Sequence, residues 1–292
     1  MGTPLIINPV AGRGAGRTLA EAIVERLSAH GVAAEPHFTQ RRGHAEALVA
    51  DAAATHPTVI VAGGDGTLCE AVNGAMRAEQ RPAIGIVPLG TGNDFAKMLG
   101  LDHDWREACR RVADGRTRRV DVGRCNGRYF ANGVGIGFDA QVAAEAARVR
   151  YLRGYAVYFL ALARTLALRY ATPHVRIDHD GGSLHHTVTL VAAANGRWYG
   201  GAFRIAPDAE IDDGLLELVV ARGLGRLGIL RLVPRVLRGT HVRDPAVEVV
   251  RTRHAAIASD VPLPVHLDGE ALPGEALSLE IDVLAGALSV IA

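Results

Sequence analysis

Gly63-Gly-Asp-Gly-Thr67 is the stretch whose chemistry is easiest to read. Its glycines tolerate backbone angles that a β-carbon forbids, and they let a phosphate or a second backbone approach closely. Thr67 opens a helix with Leu68, Ala71, Val72 and Ala75 on its apolar side, so unsatisfied amides face whatever lies before the loop. Asp65 is the odd member, since a carboxylate repels phosphate unless a divalent cation lies between them. The stretch points to a metal–nucleotide site; the alternative is a glycine turn with a capping aspartate. Two more loops share its character. Asn8-Pro-Val-Ala-Gly-Arg-Gly-Ala-Gly16 carries one cation, Arg13, and fits neither the P-loop nor the dinucleotide spacing. Pro88-Leu-Gly-Thr-Gly-Asn-Asp-Phe-Ala-Lys97 repeats the glycine turn with a threonine, and its Asp94 also suits the N-cap of a helix from Phe95.

The elements that must position these loops follow from the pattern around them. Leu5-Ile-Ile7, Val32–Phe38, Thr58–Ala62 and Ala83–Val87 read as strands, with helices over Thr18–His30, His44–Ala54 and onward from Thr67. Strands alternating with helices of this length imply a parallel sheet with right-handed crossovers. Ligands bind such sheets at the carboxyl ends of the strands, which is where all three loops fall. A helix over 104–115 and a strand over 118–125 come next. Asn126-Gly127 is then a hairpin signal, and consecutive strands replace the alternation. The domain boundary therefore falls near Gly123. Later strands are expected at Val175–Asp178, His186–Ala194, Leu215–Val220, Val265–Leu267 and Ala276–Val283. His185 and His186 point to opposite strand faces and cannot chelate one ion together.

Composition narrows the class. The chain has 292 residues, 49% hydrophobic and 22% charged, with a net charge of +1, which argues against a nucleic-acid partner. Lys97 is the only lysine, and arginine supplies the rest of the positive charge. Cys69, Cys109 and Cys125 lie too far apart for a disulfide framework and read as reduced thiols. The N-terminus runs directly into a strand without a signal-peptide pattern, so a cytoplasmic location is expected. Tyr151–Ala171 is long and apolar, but Arg153, Arg164 and Arg169 interrupt it, so it reads as an amphipathic helix packed on the sheet. Gly223–Arg238 mixes leucines with Arg226, Arg231, Arg235 and Arg238; Pro234 should kink or split it. Such a basic amphipathic helix suits either a solvated surface or an anionic membrane.

The ordered set of Asn8-Pro9 with its glycine loop, Gly63-Gly-Asp-Gly-Thr67 and Pro88-Leu-Gly-Thr-Gly-Asn-Asp-Phe-Ala96 resembles the diacylglycerol kinase catalytic-domain family, specifically soluble bacterial lipid kinases. Ala206-Pro-Asp-Ala-Glu-Ile-Asp-Asp-Gly214 and Leu267-Asp-Gly-Glu270 are similar to that family's second-half motifs, so the resemblance spans almost the whole chain. It implies an α/β nucleotide domain of the NAD kinase and phosphofructokinase type over residues 1–123, with 284–292 returning to it. A mainly antiparallel β-sandwich domain over 124–283 would receive the lipid in the cleft between them. The implied reaction moves the γ-phosphoryl of ATP to a lipid hydroxyl. Nucleotide contacts would fall on Asn8, Pro9, Val10, Ala11, Gly12, Thr39, Gly64, Asp65, Gly66, Thr67, Leu68, Cys69, Glu70 and Thr91. Cys69 departs from the asparagine common there, so only its backbone is a candidate. Asp65, Asp94 and Asp121 match a water-bridged Mg²⁺ network, with Glu270 as a further member, and Asp268 or Glu270 would be the general base. Glu210, Asp213 and Leu215 match a second, structural metal site. A lipid substrate, transient contact with the inner membrane surface and a homodimer are the implied partners. A sphingosine- or ceramide-type acceptor, a soluble acceptor such as NAD, and a non-catalytic lipid- or nucleotide-binding regulator stay open.

Overall fold

The structure, a computed structural model, describes residues 2–101, 104–149, 155–168 and 171–291. The chain divides into two compact units, Met1–Val122 with Ala285–Ala292, and Gly123–Leu284.

In the first unit, β1 (Thr3–Ile7), α1 (Ala11–Ala29), β2 (Ala34–Phe38), α2 (His44–Ala53), β3 (Thr58–Gly63), α3 (Asp65–Arg77) and β4 (Ala83–Pro88) alternate, followed by α4 (Asp94–Met98) and α5 (Trp105–Asp114). The strands run parallel in the order β2-β1-β3-β4. In register, Ile7 lies beside Ala62, and Gly63 beside Pro88. Ile23 and Leu27 of α1 pack on Leu5, Ile7, Ile60 and Val87, and β1, β3 and β4 are apolar along most of their length, whereas β2, at the sheet edge, carries Glu35 and His37. Asp104 caps α5 by accepting the amides of Arg106 and Glu107, and Gly115 ends it at φ +67°.

At the three glycine loops the helix starts differ from the sequence reading. Gly12, Arg13 and Gly14 take positive φ inside α1, so a left-handed turn precedes its regular part. Helix α3 begins at Asp65, two residues before Thr67, with Gly64 as its N-cap. Asn93, at φ +50°, takes the N-cap position of α4, so Asp94 is its first helical residue rather than its cap.

The second unit is built from antiparallel strands. β5 (Thr117–Cys125) enters it and turns through Asn126-Gly127, both at positive φ, into β6 (Arg128–Phe130). There follow β7 (Gly133–Gly137), α6 (Phe138–Arg148), α7 (Tyr155–Leu168), β8 (His174–His179), β9 (Gly182–Ala194), β10 (Leu216–Arg222), α8 (Arg226–Arg238), β11 (Val247–Thr252), β12 (His254–Leu263), β13 (Val265–Leu267), β14 (Glu270–Ala271) and β15 (Ala276–Ile291). Alternate residues of β10 feed two cores. Leu216, Leu218 and Val220 join Phe130, Ile136, Ile177 and Val191; Val219 and Ala221 join Ile205, Tyr199 and Leu232. That period of two is what a strand buried on both faces requires. The last residues of β15 belong to the first unit, where Val290 and Ile291 pair parallel with Ile84 and Gly85 of β4.

Of the long apolar segment, residues 151–154 and 169–170 lie outside the described residues. The rest, α7, packs mainly on helices, not on the sheet: Leu162 and Leu166 meet Phe138 and Val142 of α6 and Ile229 and Val233 of α8, with Leu190 of β9 beside them. No helix among the described residues is long and apolar enough to cross a membrane. Helix α8 runs unbroken through Pro234. The proline lies on the exposed face, as does Leu230 one turn earlier, so the carbonyl it deprives of a partner is open to water.

All three cysteines are buried and free. Burial pushes the Cys109 and Cys125 thiols up to about 12, so both stay protonated at neutral pH. Neither is expected to take up iodoacetamide at pH 8 until denaturant is added; rapid native labelling at either position would contradict the packing.

Candidate active site

The three glycine loops stand at the carboxyl ends of β1, β3 and β4 and touch one another through backbone. Gly64 and Gly90 face so closely that a β-carbon added at Gly90 would lie 2.6 Å from the Gly64 Cα. One added at Gly12 would lie 2.3 Å from the Leu89 carbonyl oxygen. Glycine is therefore dictated by approach, not only by turn conformation. Polar side chains lock the contact. Asn8 Nδ2 donates to Thr67 Oγ1 at 2.8 Å, and Asn8 Oδ1 accepts the Val10 amide. The Asn93 side chain pairs both ways with Gly90, accepting its amide at 2.9 Å and donating to its carbonyl at 3.0 Å. The Thr39 amide bonds the Ile7 carbonyl, which holds the end of β2 beside the same loops.

Asp65 joins two of the loops: its Oδ1 accepts the Asp94 amide at 2.6 Å. Asp94 in turn has Lys97 Nζ 3.3 Å from Oδ1, with side chains only 14% and 8% exposed for Lys97 and Asp94. Asp65 and Asp94 are thus brought together, and the chain's one lysine stands with them. Asp121, on β5, is anchored separately by the Gly286 amide at 2.6 Å, within the same unit. Among the described residues no three His, Cys, Asp or Glu side chains group closely enough to hold a metal ion directly. A pair of carboxylates on neighbouring loop heads is an all-oxygen set, which suits a hydrated Mg²⁺. No side chain caps α3, whose first turn starts at this junction. Thr91 and Val10 are exposed at the loops, whereas the Thr67, Leu68 and Cys69 side chains are buried. Glu70 has a different employment from a ligand contact. Its two carboxylate oxygens accept the Gly43 and Ala45 amides and cap the start of α2.

In the second unit Asp268 and Gly269, at φ +48° and +82°, form a two-residue hairpin turn between Leu267 and Glu270. The Asp268 carboxylate accepts three main-chain amides, Ala131 through Oδ2 and Asn132 and Gly133 through Oδ1, at 2.8–2.9 Å. Its own amide donates to the Gly133 carbonyl. Asn195 secures the same segment by donating to the Ala131 carbonyl. Glu270 is half-buried at the start of β14.

The turn that carries the expected second metal site, Glu210 to Leu215, holds Asp213 between two partners. Asp213 Oδ1 accepts the Leu215 amide at 2.9 Å, and its other oxygen pairs with the Arg251 guanidinium. The other ligands that the resemblance implies there are the main-chain carbonyls of Glu210 and Leu215. Glu217, which the sequence reading passed over, lies beside the same arginine; burial and Asp208 push its carboxyl up.

The sequence matches the diacylglycerol kinase catalytic domain over residues 3–125 and the YegS C-terminal NAD kinase beta sandwich-like domain over residues 132–292. The diacylglycerol kinase of Staphylococcus aureus is 31% identical over 290 residues, covering 96% of this chain and 91% of its own. This chain belongs to the diacylglycerol kinase family. The Bacillus subtilis diacylglycerol kinase is 29% identical, covering 94% and 92%. The crystal structure of a diacylglycerol kinase from Bacillus anthracis superposes with a TM-score of 0.78 at 26% identity, covering 99% of this chain and 96% of that one. A yeast NADH kinase, at 11% identity and a TM-score of 0.51, shares the fold alone. Membership makes the chain a kinase, with a parallel α/β unit and an antiparallel β unit as the family's two parts. Lys97, Asn93 and the Ala131–Gly133 amides are site-forming features that loop spacing alone does not single out.

Proposed function

We propose that this chain transfers the γ-phosphoryl group of ATP to a lipid hydroxyl, with diacylglycerol or a closely related lipid as acceptor. The observation that carries the reading is the junction of three glycine loops at the head of a parallel sheet, with Asp65 and Asp94 joined across it. The first-turn amides of α3 and the loop backbones would receive the phosphates, because a helix start offers N–H groups and a favourable dipole to anions. Asp65 and Asp94, with Asp121 as a further candidate, would hold Mg²⁺, which when bound neutralises phosphate charge and the charge that builds up during transfer. The Asp268–Glu270 turn would supply the carboxylate that takes the proton from the acceptor hydroxyl. The test is radiolabelled ATP with Mg²⁺ over a panel of diacylglycerol, sphingoid bases and NAD. Label in diacylglycerol supports the reading; label in NAD alone, or in nothing, overturns it.

Helix α8 supports a membrane-borne acceptor. Its inner face is Ile229, Leu232, Val233 and Val236, while Leu227 and Leu230 stand 82% and 51% exposed beside Arg231 and Arg238. Ile229, Leu232 and Val236 share one helix face, and Leu227 and Leu230 lie on the other. Arg226 caps α7 through the Leu166 carbonyl, placing exposed Leu168 nearby. Leucines among arginines suit the interface of an anionic bilayer, and the enzyme would work peripherally on the cytoplasmic face, where ATP is supplied. Leu227→Glu with Arg231→Glu is expected to weaken cosedimentation with phosphatidylglycerol vesicles by about 10- to 100-fold, at roughly 1 kcal/mol per basic residue near the surface. Transfer to a detergent-dispersed acceptor should stay unchanged. Undiminished vesicle binding would remove α8 from the membrane contact.

A further inference from the structure

His266 stands two residues before Asp268 and is 4% exposed, an ionisable ring inside the β core. Both its nitrogens face polar groups. Nδ1 lies 3.1 Å from the Gly269 amide, which donates to it. Nε2 lies 3.4 Å from Oδ2 of Asp139 in the first turn of α6. Because the amide is a donor, Nδ1 must be the bare nitrogen of the neutral ring, and the ring proton sits on Nε2, towards Asp139. Asp139 spends Oδ1 on the Ala140 amide, while Oδ2 is buried with no hydrogen bond and has the imidazole as its polar neighbour. The backbone of β7 closes over the two side chains. A β-carbon at Gly135 would lie 2.0 Å from Asp139 Oδ2 and 2.2 Å from His266 Nε2, so only glycine fits there. The Tyr199 ring meets the imidazole edge-on at 5.7 Å, and the Tyr199 hydroxyl donates to the Val134 carbonyl.

We propose that His266, oriented by Asp139, is a positioning residue that holds the Asp268-Gly269 turn and thereby fixes Glu270 for the acceptor chemistry. The proposal rests on the reading of Asp268 and Glu270 as the acceptor-side carboxylates. The turn needs such a brace. Asp268 is a non-glycine residue in the left-handed region, which is sparsely populated and persists only where surrounding contacts over-determine it. The three amides hold the Asp268 side; the Nδ1 acceptor holds the Gly269 side, next to Glu270. The link from Asp139 through the imidazole to the turn joins α6 to the hairpin.

Two substitutions separate the parts of the ring. In His266→Asn the amide oxygen falls near the position of Nδ1 and can still accept the Gly269 amide. In His266→Gln the polar end reaches towards Asp139 and leaves the Gly269 amide unserved. His266→Gln is expected to lower kcat by about 10- to 100-fold, the loss typical when a reacting group is misplaced by a fraction of an ångström to an ångström. The KM for ATP should not move, and His266→Asn should recover most of the rate. Hydrogen exchange over residues 264–272 gives a readout independent of activity: protected in the unsubstituted protein and in His266→Asn, fast in His266→Gln. Asp139→Asn should raise exchange there to a lesser degree. If the unsubstituted protein phosphorylates no lipid while the exchange pattern holds, the functional reading fails and the brace stands. Equal exchange in the asparagine and glutamine variants overturns the brace.

Discussion

Asp65→Asn is expected to reduce phosphoryl transfer from Mg-ATP by about 10²–10³ while leaving the fold intact, the loss seen when one member of an electrostatic cradle is removed. The asparagine keeps an oxygen where Oδ1 accepts the Asp94 amide, so the tie between the β3 and β4 loops survives. What disappears is the negative charge. Were Asp65 only a clamp between loops, the substitution would be nearly silent, and Asp65→Ala would be the damaging change. Radiolabel transfer and a melting curve on both variants decide it. Full activity in Asp65→Asn removes the charge from the mechanism.

Asp268→Ala should abolish transfer and also destabilise the second unit. Three amides lose their acceptor, and donors left unpaired away from water cost about 1–3 kcal/mol each. Partial access for water at this half-buried turn brings the expected total to about 2–4 kcal/mol, a fall of roughly 5–15 °C in the melting transition of a unit this size. Glu270→Gln should match the loss of transfer without the thermal penalty. Calorimetry beside the kinase assay separates the two roles. A melting point unchanged in Asp268→Ala would mean that the amides find other partners, and activity surviving in Glu270→Gln would leave proton uptake to Asp268.

The part of this molecule that can be read from sequence is the part specified locally. The strand before Gly63, the glycine doublet and the helix after it are encoded within about a dozen consecutive residues, so β-branched runs and helical periodicity suffice. The alternation around Leu5, Ile60 and Ile84 gives a parallel sheet for the same reason. What escapes is whatever depends on partners distant along the chain. Glu70 matches a nucleotide contact until the start of α2 arrives beside its carboxylate. Asp213 has the neighbours of a cation ligand in sequence and an arginine for a partner in space. The helical period of α8 puts Ile229 and Leu227 on opposite faces, but only the positions of α6 and α7 decide which face is covered. His266 gave one faint signal, a polar ring amid Val265 and Leu267, but Asp139 lies far upstream.

The strand β15 has a consequence for how the molecule is made. A ribosome delivers Val290 and Ile291 after every residue of the second unit, yet those residues pair with β4, synthesised some two hundred positions earlier. Gly286 likewise serves Asp121, and Ala287 accepts from Arg81. Until they emerge, β4 presents an open strand edge, the kind of template on which nascent chains associate. Vectorial synthesis therefore favours the later-encoded β unit as the first to finish. The nucleotide loops acquire their complete sheet only when translation has passed residue 291.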